Sequence, residues 1–220
     1  MKNVIIGIFI ILAIGCSKES EVSNCNYVDY KYYDGDRDYI GEMSTRYINI
    51  GFDSSTNNSD IHNFVSNQNS IMATDLNVIH ANYNYPVKHI VVKLTNENLN
   101  CEEIQMIMLN LENNAIVRYV DFTVITDDCQ NAIWQPLGQE CVNYYGAVFY
   151  ANLKNPNDKS KLDSLTNLTN SFVVDSSSLG TYHVFVDKNS KHSSLQMANY
   201  FFETGLFDWS EPGIGKIPVK

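Results

Sequence analysis

Positively charged residues are scarce in this 220-residue chain, where 15 lysines and arginines stand against 25 acids and the formal net charge is −10 at pH 7. Proteins that bind nucleic acid, or that bind anionic lipid by charge, need a basic surface. The charge balance therefore argues against both partners. Cys-x-x-Cys spacing is absent, and the five histidines are scattered without ligand-like spacing. We therefore expect no metal and no cofactor.

Apolar residues dominate one run at the N-terminus, at residues 4–15, which follows a single lysine, Lys2. This run is too short to span a bilayer comfortably. A basic start, a short apolar run and small residues at its end are typical of a secretory signal peptide. Residues 1–15 carry one lysine and no acid, so their removal changes the net charge from −10 to −11 (−10 − 1).

The residues around the end of that run resemble the lipobox of bacterial lipoproteins, because Cys16 directly follows Leu-Ala-Ile-Gly. The resemblance implies a lipoprotein signal peptide at 1–15, cleavage after Gly15 and lipidation of Cys16. The acidic tract SKESE that follows is similar to the export signal of surface lipoproteins in Bacteroidota. We therefore expect a lipidated acidic tether at 16–26 and an outer membrane lipoprotein at the cell surface, with only its lipid in the membrane. An ordinary signal peptide with an incidental cysteine is the alternative.

Four cysteines remain when Cys16 is set aside. An even number in an exported chain predicts two disulfides, for which three pairings exist. We favour the pair that flanks a short segment containing Pro136 and Gly138, because closing so small a loop stabilises by about 3 kcal/mol in the chain-entropy model. That pair is Cys129 with Cys141, which leaves Cys25 and Cys101.

Tyrosines alternate with polar residues on both sides of Asp34-Gly35, early in the mature chain. Asp-Gly between alternating segments predicts a β-hairpin. The aspartates of this stretch imitate the start of an EF-hand calcium loop. Tyr39, however, stands where that loop needs glycine, and Thr45 stands where it needs a bidentate glutamate. The hairpin is therefore the better interpretation.

Two stretches of the chain show the same order of predicted elements, strand-helix-strand-strand-helix-strand. Alternating or continuous apolar runs predict the strands, and apolar residues at i, i+3, i+4 and i+7 predict the helices. A short sequence match supports a duplication, since Ile104-Gln105-Met106 corresponds to Leu195-Gln196-Met197 at an offset of 91 (195 − 104). The predicted helices lie at 58–68, 101–114, 158–170 and 193–204, and the clearest predicted strands at 46–52, 89–95, 115–125, 145–154, 172–178, 181–187 and 206–209.

This order is that of the split βαβ, or ferredoxin-like, arrangement. We therefore predict an α+β protein of two tandem ferredoxin-like (βαββαβ) modules with antiparallel sheets, preceded by the hairpin. The predicted boundaries are 27–126 for the hairpin and the first module, 127–143 for a cysteine-flanked connector and 144–220 for the second module with a C-terminal tail.

The last helix and strand have clear local signals in the stretch SSLQMANYFFETGLFDWSEP at 193–212. Ser193 or Ser194 predicts the helix start and Gly205 its end in a left-handed conformation. Leu195, Ala198, Phe201 and Phe202 are predicted to form the buried face. Pro212 cannot donate to a β-ladder, so we expect regular pairing to weaken there.

This stretch also resembles the segment that closes the N-terminal pro-region of subtilisin-like serine peptidases, particularly those of Bacteroidota. The family alanine before Glu-Pro is Ser210 here, and its usual tyrosine is Phe202. The resemblance implies an antiparallel sheet backed by two helices, which packs on the peptidase and inhibits it with a tail along the substrate cleft. The matching positions are Met197, Ala198, Asn199, Phe201, Glu203, Thr204, Gly205, Leu206, Phe207, Glu211 and Pro212.

The signatures that such peptidases carry around their catalytic base and nucleophile, His-Gly and Gly-Thr-Ser, do not occur in the chain. We therefore expect a protein that is not an enzyme, and three hypotheses remain open. It is an inhibitor or intermolecular chaperone of a subtilisin-like serine protease, a surface binding module on the same fold, or the remnant of a peptidase that lost its catalytic domain. The inhibitor hypothesis predicts protease contacts from Glu211, Pro212, Gly213, Ile214, Gly215, Lys216, Ile217 and Pro218.

Overall fold

A computed structural model describes residues 25–72, 79–82, 85, 87–126, 140–177 and 180–219. The predicted signal peptide, most of the predicted tether and residues 127–139 of the predicted connector lie outside these ranges, as do Cys16 and Cys129. No helix within the described ranges is long and apolar enough to cross a membrane.

Ten strands and four α-helices make up the described chain. They are β1 (Tyr30–Tyr33), β2 (Asp36–Tyr39), β3 (Met43–Asp53), α1 (Asn58–Ser66), β4 (His80–Asn82), β5 (Val87–Lys93), α2 (Cys101–Glu112), β6 (Val117–Thr126), β7 (Glu140–Leu153), α3 (Lys159–Leu168), β8 (Phe172–Ser176), β9 (Thr181–Phe185), α4 (Ser194–Glu203) and β10 (Phe207–Val219). A 3₁₀ turn at Pro156–Asp158 leads into α3.

The strand order confirms the predicted fold. Module 1 runs from β3 to β6 and has the antiparallel order β4-β5-β3-β6, and module 2 runs from β7 to β10 with the order β10-β7-β9-β8. In each module the last strand lies beside the first strand of that module, which is the ferredoxin-like βαββαβ topology. The protein is therefore an α+β protein of two such modules with antiparallel sheets.

Strand β7 joins the two modules into one eight-stranded sheet. One of its edges pairs with β6 through residues 141–144 and then with β9 through residues 148–152, while its other edge pairs with β10 along its whole length. We call the point where β7 leaves β6 the fork. The predicted connector reached residue 143, and this boundary was wrong, because β7 already begins at Glu140.

The helices of each module cover one face of its sheet. In module 1, α2 begins at a capping box in which Asn100 and Glu103 satisfy each other's backbone N–H, and it buries Ile104, Met108 and Leu111 as its spacing predicts. In module 2, α3 buries Leu162 and Leu165, while Leu168 at its C-terminal end is exposed.

Helix α4 follows the local signals closely. Ser193 and Gln196 form its capping box, and Gly205 has the predicted positive φ of 73° just after its end. The buried face includes Leu195, Ala198 and Phe201. Phe202 was predicted to join that face, but its ring instead stacks on Tyr32 of the hairpin at 4.5 Å.

The predicted hairpin is present as β1 and β2, with positive φ angles at Asp34 and Gly35 that suit a tight type I′ turn. Its grouping with module 1 was wrong, because it packs against α4 and β10 of module 2. There Asn199 Nδ2 donates to the Tyr30 carbonyl at 3.0 Å. The segment just before it is held on module 1, where Cys25 forms a disulfide with Cys101. The N-terminal segment therefore connects both modules.

The C-terminal residues form part of the sheet and are not a free tail. The expected weakening at Pro212 appears as a register irregularity between Pro212 and Ile214, but pairing with β7 resumes and continues to Val219. Val219 is buried, and with Ile217 it packs against Tyr47 and other residues of the sheet. Apolar contacts of this kind explain why the strand does not end at the proline.

Candidate functional site

A cleft of about 420 Å³ lies on the sheet face opposite the helices, where surfaces of the two modules converge. We call it the open-face cleft. Four tyrosines and one tryptophan line it, together with one histidine and one glutamate, and a volume of this size is within the range of ~300–1,000 Å³ typical of small-molecule sites. Its residues are Tyr85, Val87, His89 and Tyr119 from module 1, and Tyr144, Gly146, Ala147, Val148, Tyr150, Trp209, Glu211, Pro212, Gly213, Ile214 and Gly215 from module 2.

Two of the tyrosine rings rest directly on glycine backbone. A Cβ atom on Gly51 would lie 1.8 Å from Tyr119 Cε1, and one on Gly215 would lie 2.2 Å from Tyr144 Cζ. Any larger residue at either position would therefore push the ring out of place. Glycine within a strand commonly marks such a close approach. These glycines fix the positions of Tyr119 and Tyr144 in the cleft.

The histidine of the lining, His89, is buried, with 8% of its surface exposed. Its ring stacks on His80 at 5.3 Å and lies 4.6 Å from the ring of Tyr144. Burial lowers the pKa of His89 to about 4, with a smaller contribution from His80. The imidazole is therefore neutral at pH 7. Among the described residues its Nε2 has no hydrogen-bond partner, and such buried groups cost about 1–3 kcal/mol.

The two modules also meet through a hydrogen bond beside the cleft. Tyr85 of module 1 places its Oη 2.8 Å from His183 Nδ1 of module 2. Asp175 Oδ2 lies 3.6 Å from the same nitrogen, and the Tyr150 ring meets the imidazole edge-on at 4.9 Å. A catalytic relay needs its acid and its nucleophile on different ring nitrogens. Here Tyr85 and Asp175 both approach Nδ1, so the geometry does not suit a relay. The contacts of His183 instead hold the Tyr85 and Tyr150 side chains in position.

The open-face cleft is close to electrically neutral. Glu211 is the one acid among its lining residues, and no lysine or arginine lines it in the part of the chain that the structure describes. Lys31 from the hairpin approaches Glu211, with Nζ 4.0 Å from Oε2, and is itself mostly buried. Its charge offsets that of the carboxylate. With His89 neutral, the walls present aromatic rings, backbone and hydrogen-bonding groups without a net field.

A second groove lies on the helix side of the fork, and it holds two acids with raised pKa values. Burial raises the pKa of Asp121 to about 7 and also raises the pKa of Glu112. Both carboxylates accept hydrogen bonds from β6, Asp121 from the Phe122 N–H and Glu112 from the Val120 N–H, each at 2.9 Å. Because β7 pairs with β6 only beyond this point, these acids serve as partners for backbone groups that have no neighbouring strand.

The structure tests the predicted cysteine pairs in part. Cys25 and Cys101 form a disulfide, with Cα atoms 5.7 Å apart. Cys141 is also disulfide-bonded, to a partner outside the described residues. The favoured pairing with Cys129, and lipidation of Cys16, therefore stay predictions. Among the described residues, no group of three or more histidine, cysteine, aspartate or glutamate side chains is arranged to hold a metal ion.

The residues predicted to contact a protease separate into two sets. Glu211, Pro212, Gly213, Ile214 and Gly215 line the open-face cleft. The remaining three, Lys216, Ile217 and Pro218, pair with residues 143, 142 and 141 of β7.

Sequence reasoning missed the aromatic lining itself. Its signal was visible in part, because Tyr144 and Tyr150 stand in a strand with an unusual share of aromatic residues, and Gly215 interrupts another. Which sheet face these residues occupy depends on strand register, and the short-range pattern does not reveal that another module faces them.

Comparisons with known proteins leave the function open. No family model and no curated protein matches the chain. Among solved structures, the small subunit of acetolactate synthase from Thermotoga maritima matches over 80% of this chain and 97% of its own, with 10% identity and a TM-score of 0.28. A likeness at this score carries no argument, so the fold assignment rests on the strand order.

Proposed function

We propose that this protein is a non-catalytic, exported binding protein whose ligand site is the open-face cleft. The observation that carries the proposal is the lining: aromatic side chains from both modules converge on one cavity, with a few polar groups among them. Apolar and aromatic walls with few polar groups are typical of small-molecule sites. The pairing of β7 with strands of both modules supports a site that exists before the ligand arrives.

The absence of a catalytic role is supported by the geometry around the histidines. His183 is engaged by Tyr85 and Asp175 at a single nitrogen, which does not suit a proton relay. His89 is buried, and its pKa of about 4 makes it a weak base. Neither histidine therefore has the position of a general base.

Export is supported by the disulfide between Cys25 and Cys101, because disulfides persist in oxidising compartments. The N-terminal sequence adds a signal peptide and a lipobox-like Cys16. We propose a lipoprotein of the outer membrane that faces the cell exterior. Metabolic labelling with a fatty-acid analogue, compared between the wild type and Cys16→Ser, tests the anchor, and equal labelling of both would contradict it.

The inhibitor hypothesis stays a prediction, and in this structure it requires a rearrangement. Residues 216–219 pair with β7 along their whole length. A tail that enters a protease cleft must first separate from this strand. The sheet face that would contact the protease is also partly covered, because Ile217 and Val219 pack against Tyr47 and Val91 of module 1. A binding module needs neither change, so we favour it.

The test compares ligand binding with protease inhibition in the full mature chain. A library of charged, uncharged and aromatic small molecules is screened by ligand-observed NMR. We expect hits whose binding is lost in Trp209→Ala, on the cleft wall, and kept in Tyr39→Ala, on the exposed hairpin. Finding no hit that depends on the cleft would overturn the proposal. Inhibition of a secreted subtilisin-like protease that survives Trp209→Ala would favour the inhibitor.

A further inference from the structure

The geometry points to an uncharged saccharide as the ligand of the open-face cleft. This inference rests on the proposed function and narrows it to one chemical class. Four observations carry it: the position of the aromatic rings, the balance of charge, the kind of hydrogen-bonding groups and the size of the cavity.

Aromatic rings line the cleft on two neighbouring strands. Tyr144 and Tyr150 belong to β7, and Trp209 belongs to the neighbouring β10, where 37% of its surface is exposed. The face of an aromatic ring is electron-rich, and it attracts groups with a partial positive charge. The C–H groups on one face of a pyranose ring are such groups. Tyr144 already contacts the Gly215 backbone and the His89 ring at 4.6 Å, so Tyr150 and Trp209 are the rings that we assign as stacking surfaces.

The charges in the cleft favour a neutral ligand over an ionic one. An anion would meet no lysine or arginine among the described lining residues, and the chain carries a net charge of −10. A cation would be attracted to aromatic faces. Lys31, however, already stands 4.0 Å from Glu211, which is the one acid among the described lining residues. The cleft therefore supplies its own counter-ion and has no uncompensated charge to attract another.

The polar groups in the lining suit hydroxyl groups. A phenol both donates and accepts hydrogen bonds, and a carboxylate only accepts them. Two of the lining phenols already have partners, Tyr85 in His183 and Tyr119 in Asn49, so the lining offers its other phenols and the half-buried Glu211 carboxylate. A saccharide presents neighbouring hydroxyls beside an apolar ring face, so it uses both kinds of wall at once. An uncharged aromatic compound would use the rings and leave these polar groups without partners, which costs about 1–3 kcal/mol for each group that becomes buried.

The size of the cavity sets the size of the ligand. A volume of about 420 Å³ is at the lower end of the range for small-molecule sites, ~300–1,000 Å³. It suits a mono- or disaccharide, or the terminal units of a longer glycan that extends past Trp209 at the mouth.

The test is a titration of the full mature chain with three matched panels at the same concentrations. The first contains neutral sugars, namely common hexoses, N-acetylhexosamines and their disaccharides. The second contains quaternary ammonium compounds such as choline, and the third contains uncharged aromatics such as phenol and indole. Binding is detected by saturation-transfer NMR and measured by calorimetry. We expect at least one neutral sugar to bind, with a dissociation constant that stays within twofold between low and high salt, because only charged ligands are screened.

Two variants locate the site. Trp209→Ala and Tyr150→Ala are each expected to weaken sugar binding tenfold or more, about 1.4 kcal/mol. Tyr39→Ala, which removes an exposed ring outside the cleft, should leave it unchanged. Circular dichroism confirms that each variant is folded, and Trp209 is exposed enough for its removal to be tolerated.

The outcomes separate this inference from the proposed function. Cleft-dependent binding of only the ammonium or only the aromatic panel would overturn the saccharide assignment and leave the binding cleft standing. Sugar binding that ignores both cleft variants would also overturn it. If no compound of any panel binds, the inference and the proposed cleft both fail.

Discussion

Replacing His89 by phenylalanine should change how the stability of this protein depends on pH. The histidine is buried and neutral, with its pKa lowered by burial to about 4, whereas an unfolded chain has a histidine pKa of ~6.5. Between these two values the unfolded chain binds a proton that the folded chain does not. Stability contributed by the neutral group is therefore complete above pH ~6.5 and is lost as the pH falls towards 4.

The size of the effect follows from the two pKa values. A difference of about 2.5 units, at ~1.4 kcal/mol per unit, corresponds to about 3 kcal/mol of unfolding free energy. Phenylalanine keeps a ring between His80 and Tyr144 and does not titrate. It also removes Nε2, which has no partner among the described residues. We therefore expect His89→Phe to exceed the wild type by about 1 kcal/mol at pH 7.5 and by about 4 kcal/mol near pH 4.

Other buried groups titrate in the same range, so the comparison must be between variants. Burial also lowers the pKa of His80, which adds to the effect of His89. Asp121 and Glu112 act in the opposite direction, because burial raises their pKa values and the folded chain then holds the proton longer. The dependence of the wild type's unfolding free energy on pH is therefore the sum of the contributions of all these groups. The difference between the wild type and His89→Phe isolates one of them.

The assay is urea unfolding followed by tryptophan fluorescence between pH 4 and 8. His62→Phe, at an exposed position on α1, is the matched control and should follow the wild type at every pH. A difference between His89→Phe and the wild type that is the same at pH 4.5 and pH 7.5 would refute the reasoning. It would mean that the imidazole is hydrated or partnered in the folded state.

Three further predictions use other contacts. Asp121→Asn should gain stability relative to the wild type as the pH rises from 4 to 7, reaching about 4 kcal/mol, because the unfolded carboxyl ionises in this range whereas the buried one, with its pKa raised to about 7, stays protonated; urea unfolding that shows no gain at pH 8 would contradict this. Replacing both Cys25 and Cys101 with serine should lower the free energy of unfolding by about 4 kcal/mol, since the bond joins residues 76 positions apart, and chemical denaturation against the oxidised wild type measures it, with equal stabilities counting against the bond. Gly51→Ala should cost about 1–3 kcal/mol and should displace Tyr119, whereas Gly146→Ala, where a Cβ would meet nothing closer than 4.0 Å, is the control; calorimetric melting compares the two, and similar melting temperatures would show that the ring has room to move.

The predicted correspondence between the modules is right in element order and misplaced in register. The offset of 91 pairs Met106, which is 58% exposed, with the fully buried Met197. The two capping boxes instead correspond at an offset of 93, with Asn100 matching Ser193 and Glu103 matching Gln196 (193 − 100 and 196 − 103). A three-residue match with two identities is easily shared by chance, whereas caps mark a physical position on each helix. The element order was right because it depends on periodicity over many residues.

Several features depended on information that a local pattern does not contain. Strand β4 has only three residues, too few for alternation to be visible. The hairpin itself was predictable from Asp34-Gly35, but its packing on α4 depends on contacts such as that between Tyr32 and Glu203, 171 positions apart. The open-face cleft was missed for the same reason, because it exists only where two modules face each other.

The fork in β7 has a consequence for how the chain folds. The first strand of module 2, β7, pairs with β6 of module 1 as well as with β9 and β10 of its own module. Cutting the chain between the modules would leave β6 with an open edge and would remove one wall of the cleft. We therefore expect the two modules to unfold as a single cooperative unit.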